Sequence, residues 1–262
     1  MKIITFLSDF GLKDSYVSQM KGVACQISDA RLVDITHEIN PQNIYEGAFV
    51  LRSAVPFFPI GSVHVAVVDP GVGTNRKNII IATRKNVLIG PDNGLLLPAA
   101  HLFGNFVVYE ITNKKYMISS VSNTFHGRDI YASVAAHITN GVPFDEIGDI
   151  INDFINLDFG SAKFEENIIF GKIVYIDRFG NIITNISSDM ALKNFNYNNS
   201  IKVNIGKKSV DIPFVKSYGF VKSQEMLITI GSSNFIEIGI NQGNAAKKLS
   251  VKQDDVVKIF IN

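Results

Sequence analysis

Six aspartates stand where apolar runs or turns end: Asp9, Asp14, Asp69, Asp92, Asp129 and Asp177. The carboxyl ends of strands in an α/β sheet open onto one crevice, so acids in such places can share a site. The sharpest instance is Val65 to Arg76, VAVVDPGVGTNR, where a β-branched run delivers Asp69, a Pro-Gly turn reverses the chain, and an arginine follows seven residues after the acid. Asp-Pro-Gly is also ordinary turn chemistry, and Asp92 and Asp129 fit turn or cap roles. Among five histidines, His37, His64, His101 and His137 read as structural. His126 differs, because it lies between Phe125 and Gly127 where a helix is expected to begin, and its ring can face a pocket. On motifs alone, carboxylates with one histidine suit a divalent ion for phosphate-ester hydrolysis. Zinc-type His or Cys spacing, Gly-x-Ser-x-Gly and phosphate-cradling Gly loops are absent from the sequence.

The elements that must position these residues change character along the chain. Residues 2–7, 32–35, 62–68, 79–83, 87–89 and 107–111 read as strands, the first of them apolar on both faces. Between them, helical spacing marks residues 14–28, with Val17, Met20, Val23, Ala24 and Ile27 on one face. A second helix starts at Asn40-Pro41 and stops at Pro56, and a third opens at Thr124–Asp129. This alternation predicts an α/β domain over residues 1–158, its sheet largely parallel or mixed and flanked by helices. From Ile168 the spacing is that of short strands with turns of Asn, Gly and Lys: 168–176, 182–186, 201–205, 209–214, 226–230, 235–240 and 256–261. That predicts an antiparallel barrel over 166–262, with 159–165 as linker.

Composition narrows the partners. The net charge is +1 and no basic run exceeds two residues, so neither nucleic acid nor an anionic membrane has an electrostatic handle. Cys25 is the single cysteine, which rules out an intramolecular disulfide, and its place in a helix predicts a small core hydrophobe. The N-terminus meets acid too early for a signal peptide, and no apolar run approaches about 20 residues; the expectation is a cytoplasmic protein.

Five segments, SDFGLKDSYVSQMKG (8–22), VVDPGVGTNR (67–76), GPDNGLL (90–96), TFHGRDIYA (124–132) and IDRFGNIITNI (176–186), together resemble the S-adenosyl-L-methionine (SAM) hydroxide adenosyltransferases, or SAM hydrolases, which are related to SAM-dependent fluorinating and chlorinating enzymes. The resemblance implies an N-terminal α/β domain, a C-terminal barrel, and a homotrimer with each site between one subunit's N-terminal domain and the next subunit's C-terminal domain. It implies hydrolysis of SAM to adenosine and L-methionine without metal or other cofactor. Asp69, Arg76 and His126 match the family's hydrolytic triad. Asp9 matches the acid on the ribose hydroxyls, Asp14 and Asp177 match positions near the methionine ammonium, and Phe125 is expected near the ribose. Phe179 and Asn181 match the adenine subsite, to which Tyr218, Asn244 and Ala246 also align. The fluorinating relatives have tyrosine where this chain has Asp69, serine at Gly127, and a long insertion where only thirteen residues, 77–89, separate Arg76 from Gly90. Asp69 and Gly127 therefore argue against halide chemistry. A SAM- or adenosine-binding sensor without turnover is the other alternative.

Overall fold

In the computed structural model, which describes residues 2–261, the Ile- and Val-rich runs become buried strands. A first unit ends at Asp158. Its strands are β1 (Ile3–Ser8), β2 (Arg31–Thr36), β3 (Val63–Val67), β4 (Asn78–Thr83), β5 (Val87–Pro91), β6 (Phe106–Glu110) and β7 (Ile150–Ile151). They lie in the order β2-β1-β3-β5-β4-β6-β7. β1 and β3 are buried at every residue, as central strands covered on both faces must be. The pairs β1–β2, β1–β3 and β3–β5 are parallel, whereas β4–β5, β4–β6 and β6–β7 are antiparallel. The sheet is thus mixed: helical crossovers set β1, β2 and β3 parallel, and β5 reaches the edge of β3 through its hairpin with β4.

The helices follow the apolar spacing. α1 (Tyr16–Ile27) buries Val17, Met20 and Ala24. Cys25 lies one step beyond that face and is exposed, not a core residue. α2 (Ile44–Ala54) begins later than Asn40-Pro41, because Asn43 is its cap and accepts from the Glu46 amide. α3 (Leu97–Leu102) is a short helix that its sequence signals poorly. The helix expected near residue 124 starts with a π-helical turn, Gly127–Ala132, before α4 (Ser133–Thr139); α5 (Phe144–Ile147) follows. One buried apolar cluster joins α1, the π-helical turn and α4 to β1 and β3.

The second unit begins at Phe159. It contains β8 (Lys163–Glu165), β9 (Ile168–Ile176), β10 (Ile182–Ser187), β11 (Ser200–Ile205), β12 (Lys208–Pro213), β13 (Met226–Ile230), β14 (Phe235–Ile240) and β15 (Val256–Phe260), with helices α6 (Ser188–Asn194) and α7 (Ala245–Leu249). The order is β12-β11-β15-β9-β10-β14-β13, with β8 paired to β9. Neighbours are antiparallel, so an odd number along the path leaves the two outermost strands parallel. A parallel bridge between Phe214 and Ile228 joins them, and the sheet is a nearly closed barrel. The stretch 159–165 carries β8 and a buried Phe159, whose carbonyl accepts from Asn185 Nδ2 at 3.2 Å. Among the described residues no helix is long and apolar enough to cross a membrane.

Candidate active site

Strand β3 leads directly into Val68 and Asp69, and the turn 70–75 brings Arg76 back onto the acid. The turn is tight: Gly73 has φ +77°, and a Cβ there would lie 2.3 Å from the Asn123 carbonyl oxygen, so only glycine fits. Arg76 Nε donates to Asp69 Oδ1 at 2.7 Å and Nη2 donates to Oδ2. This is the two-pronged fit of guanidinium to carboxylate. The side chains are only 9% (Arg76) and 4% (Asp69) exposed. Arg76 Nη2 also lies 3.0 Å from His126 Nδ1.

That last contact decides the imidazole's tautomer. Arginine has no acceptor, so Nδ1 must accept and the ring proton sits on Nε2. Burial first, then the Arg76 charge, hold the His126 pKa below its ordinary value; Asp69 and Asp129 pull the other way. The neutral ring therefore presents an N–H donor from Nε2 beside a buried, paired carboxylate.

Two residues behind the cluster escaped the sequence reading. Arg76 Nη1 donates to Asn78 Oδ1 at 2.6 Å, and the Tyr131 hydroxyl donates to the same oxygen at 2.7 Å. Tyr131 is fully buried, and burial pushes its hydroxyl's pKa up, so it remains a donor. Nothing in residue type marks Asn78, the first residue of β4, or Tyr131 within an apolar helix face.

Elsewhere in the first unit, Asp9 directly follows β1, and its Oδ2 accepts from the Gln42 amide at 2.8 Å. Asp14 is exposed in the loop before α1. Phe125 is buried against Phe10 and Tyr16, with ring centroids 5.7 and 5.2 Å away. A Cβ on Gly127 would meet Met20 Sδ at 3.0 Å. Asp92 and Asp129 have structural tasks. Asp92 accepts from the Ile155 amide, and fully buried Asp129 accepts from the Ser122 amide and Arg128. Among the described residues no group of three or more His, Cys, Asp or Glu side chains is arranged to hold a metal ion.

In the second unit, a cavity of about 740 Å³ is lined by Asp177, Phe179, Asn181, Tyr218, Asn244 and the 240–243 segment. The β9–β10 turn builds one wall. Asp177 Oδ1 accepts from the Phe179 and Asn181 amides, both at 2.9 Å, and Oδ2 accepts from Asn181 Nδ2. The carboxylate thus organises its own turn, and Phe179 stands 74% exposed at the tip. Gly180, at φ +84°, allows Asn244 to approach where a Cβ would clash at 2.1 Å. Ala246 does not line the cavity; it is buried, and its amide donates to the Gly180 carbonyl at 2.9 Å. The Tyr218 hydroxyl donates to Glu237 Oε1 at 2.6 Å. Burial and the Asp177 charge raise the Glu237 pKa despite that bond. Glu237 was also missed, since one acid within an alternating strand carries no signal.

Comparison with known proteins gives the same assignment over nearly the whole chain. Residues 4–148 match the SAM hydroxide adenosyltransferase N-terminal domain, and residues 171–258 match its C-terminal domain. An (R)-S-adenosyl-L-methionine hydrolase of Methanocaldococcus jannaschii is 40% identical, over 99% of this chain and 96% of that protein. A fluorinase of Actinoplanes sp. is 26% identical over 95% of this chain and 94% of its own. The crystal structure of an uncharacterized conserved protein from Thermotoga maritima superposes with a TM-score of 0.94 at 38% identity, covering 98% of this chain and 99% of that one.

Proposed function

The chain belongs to the SAM hydroxide adenosyltransferase family, and on that premise we propose that it is an enzyme that hydrolyses SAM to adenosine and L-methionine, with Asp69, Arg76 and His126 positioning the attacking water. The observation that carries the role of these three is the closed network in which Arg76 holds both oxygens of Asp69 and the Nδ1 of His126.

The chemistry asks for little else. A sulfonium departs as a neutral thioether, so the leaving group needs no proton, metal or cofactor. The enzyme must hold a water in line behind the ribose C5′ and strip part of its solvent shell. Each Asp69 oxygen keeps a lone pair after pairing with Arg76, enough to accept the water's hydrogen bond and then its proton as C–O bond formation proceeds. His126 Nε2–H donates to the water oxygen and fixes its direction. Arg76 keeps the carboxylate aimed and offsets its burial.

Substrate contacts follow from the matched segments. Asp9 takes the ribose hydroxyls, with Phe125 beside the ring. Asp14 and Asp177 lie toward the ammonium. Phe179 and Tyr218 offer ring faces to the purine, while Asn181 and the Asn244–Ala246 segment serve its edge. The same reading includes a cytoplasmic homotrimer whose sites each combine residues of two subunits; light scattering on the purified protein tests the trimer. A halide is disfavoured because a buried carboxylate repels an anion. The test is hydrolysis by Asp69→Ala, Arg76→Ala and His126→Ala, with chloride present and absent. Near-native rates in all three, or 5′-chloro-5′-deoxyadenosine as product, sink the assignment. Binding without product over hours identifies a sensor instead.

A further inference from the structure

His37, which reads as a structural histidine, sits at the crossing of two loops that present Asp9. The β1–β2 register explains how it gets there. Phe6 pairs with Asp34 but Leu7 pairs with Thr36, so β2 slips by one residue. Without the slip Ser8 would face Thr36; with it, Ser8 faces His37. Ser8 is fully buried and His37 is 2% exposed. Ser8 Oγ lies 2.7 Å from His37 Nδ1, and His37 Nε2 lies 3.0 Å from Asp34 Oδ1.

With a neutral imidazole at His37, the donors and acceptors along this chain run in one direction. Asp34 also takes a hydrogen bond from Lys21. Its burial raises its pKa, but the bonds from Lys21 and His37 outweigh that and hold it below the ordinary value, so it accepts. His37 Nε2 therefore donates, Nδ1 accepts from the Ser8 hydroxyl, and Ser8 Oγ accepts from the Phe10 amide at 3.3 Å. The His37 carbonyl accepts from the Gly11 amide at 2.7 Å. Downstream of His37 in the same loop, the Gln42 amide reaches Asp9 Oδ2. Loop 8–11 is thus tied to loop 37–42 on both sides of Asp9.

We infer that His37 is a positioning residue for substrate recognition, acting through Ser8 to set the direction of the Asp9 carboxylate. This rests on the reading that Asp9 grips the ribose 2′- and 3′-hydroxyls. A carboxylate that must accept from two adjacent hydroxyls depends on its orientation, and the relay supplies that orientation with groups that never touch the ligand.

The experiment compares the binding of adenosine and 2′,3′-dideoxyadenosine by calorimetry. The proteins are the wild type and the Asp9→Asn, Ser8→Ala, His37→Leu and His37→Asn variants. Wild type prefers adenosine by about tenfold or more, the size of a hydrogen bond to a charged group, and Asp9→Asn loses the preference. Ser8→Ala and His37→Leu lose most of it too, while affinity for the dideoxy compound stays within about twofold. His37→Asn, which keeps an acceptor near the Nδ1 position, restores it. A Ser8→Ala protein with wild-type preference overturns the inference and leaves Asp9 in place. A wild type that binds both nucleosides equally overturns the Asp9 reading and the inference with it. Ser8→Ala removes one oxygen and little volume, so the test stands even where His37→Leu fails to fold.

Discussion

In the first unit Asp69 and Arg76 are nearly sealed from solvent, at 4% and 9% exposure, whereas in the second unit Phe179 leaves 74% of its surface in solvent. The two regions use the same residue types differently. Asp69 receives its hydrogen bonds from Arg76, across the turn, and each oxygen keeps a lone pair. Asp177 spends its oxygens on the backbone and side chain of its own turn. A buried strand end makes a rigid place for a reactive group. A turn makes a surface whose aromatic tip can close on a ligand. On the proposed function, changes at the sealed pair should act on rate, and changes at the exposed aromatic tip should act on affinity.

The largest separation is expected at Asp69. Asp69→Asn should lower kcat by about 10²–10⁴, the range for a general base, with adenosine affinity nearly unchanged by calorimetry. Phe179→Ala should do the reverse, raising KM by about 5- to 150-fold for the loss of one stacked base and leaving kcat within a few-fold. Equal effects of both changes on kcat break the comparison. Asn78→Ala removes the acceptor shared by Arg76 and Tyr131. It should cost about tenfold in kcat, in line with one hydrogen bond to a charged group, and single-turnover rates check it.

Acidification gives a smaller, graded effect. The His126 pKa lies below 6.5, so the neutral ring persists at pH 7. As pH falls through that depressed value, Nδ1 gains a proton and can no longer accept from Arg76; kcat/KM should fall there, and His126→Asn should flatten that limb. Stability has its own window. His64, buried in β3 with Nδ1 2.8 Å from Thr5 Oγ1 and no partner at Nε2, has a pKa lowered from 6.5 to about 4. Between those values the unfolded chain binds a proton that the folded one refuses, so stability is full above pH 6.5 and declines toward pH 4. The loss is about 3 kcal/mol by the pKa difference. Urea titrations at pH 7 and 4.5, with His64→Gln as control, measure it.

Most strands were legible because burial writes itself as unbroken Ile and Val in the first unit and as spaced turns in the second. Residues 168–176, 226–230 and 235–240 coincide with β9, β13 and β14. The register slip that places His37 beside Ser8 was not, since a bulge depends on how two strands pair and not on either alone. Cys25 failed for a related reason: one step along a helix turns a side chain about 100°, and apolar spacing did not resolve that step. At the site, Asp69, Arg76 and His126 could be named from matched segments, yet the hydrogen bond that fixes the imidazole tautomer exists only in three dimensions. Asn78, Tyr131 and Glu237 are common residue types whose roles come from what they face.

The most direct test is hydrolysis of SAM by the purified protein in water enriched in oxygen-18, with both products read by mass spectrometry. Attack of water on C5′ predicts adenosine carrying one heavy oxygen as its 5′-hydroxyl, beside unlabelled L-methionine. Adenosine without label, label in methionine, or no adenosine at all contradicts the account.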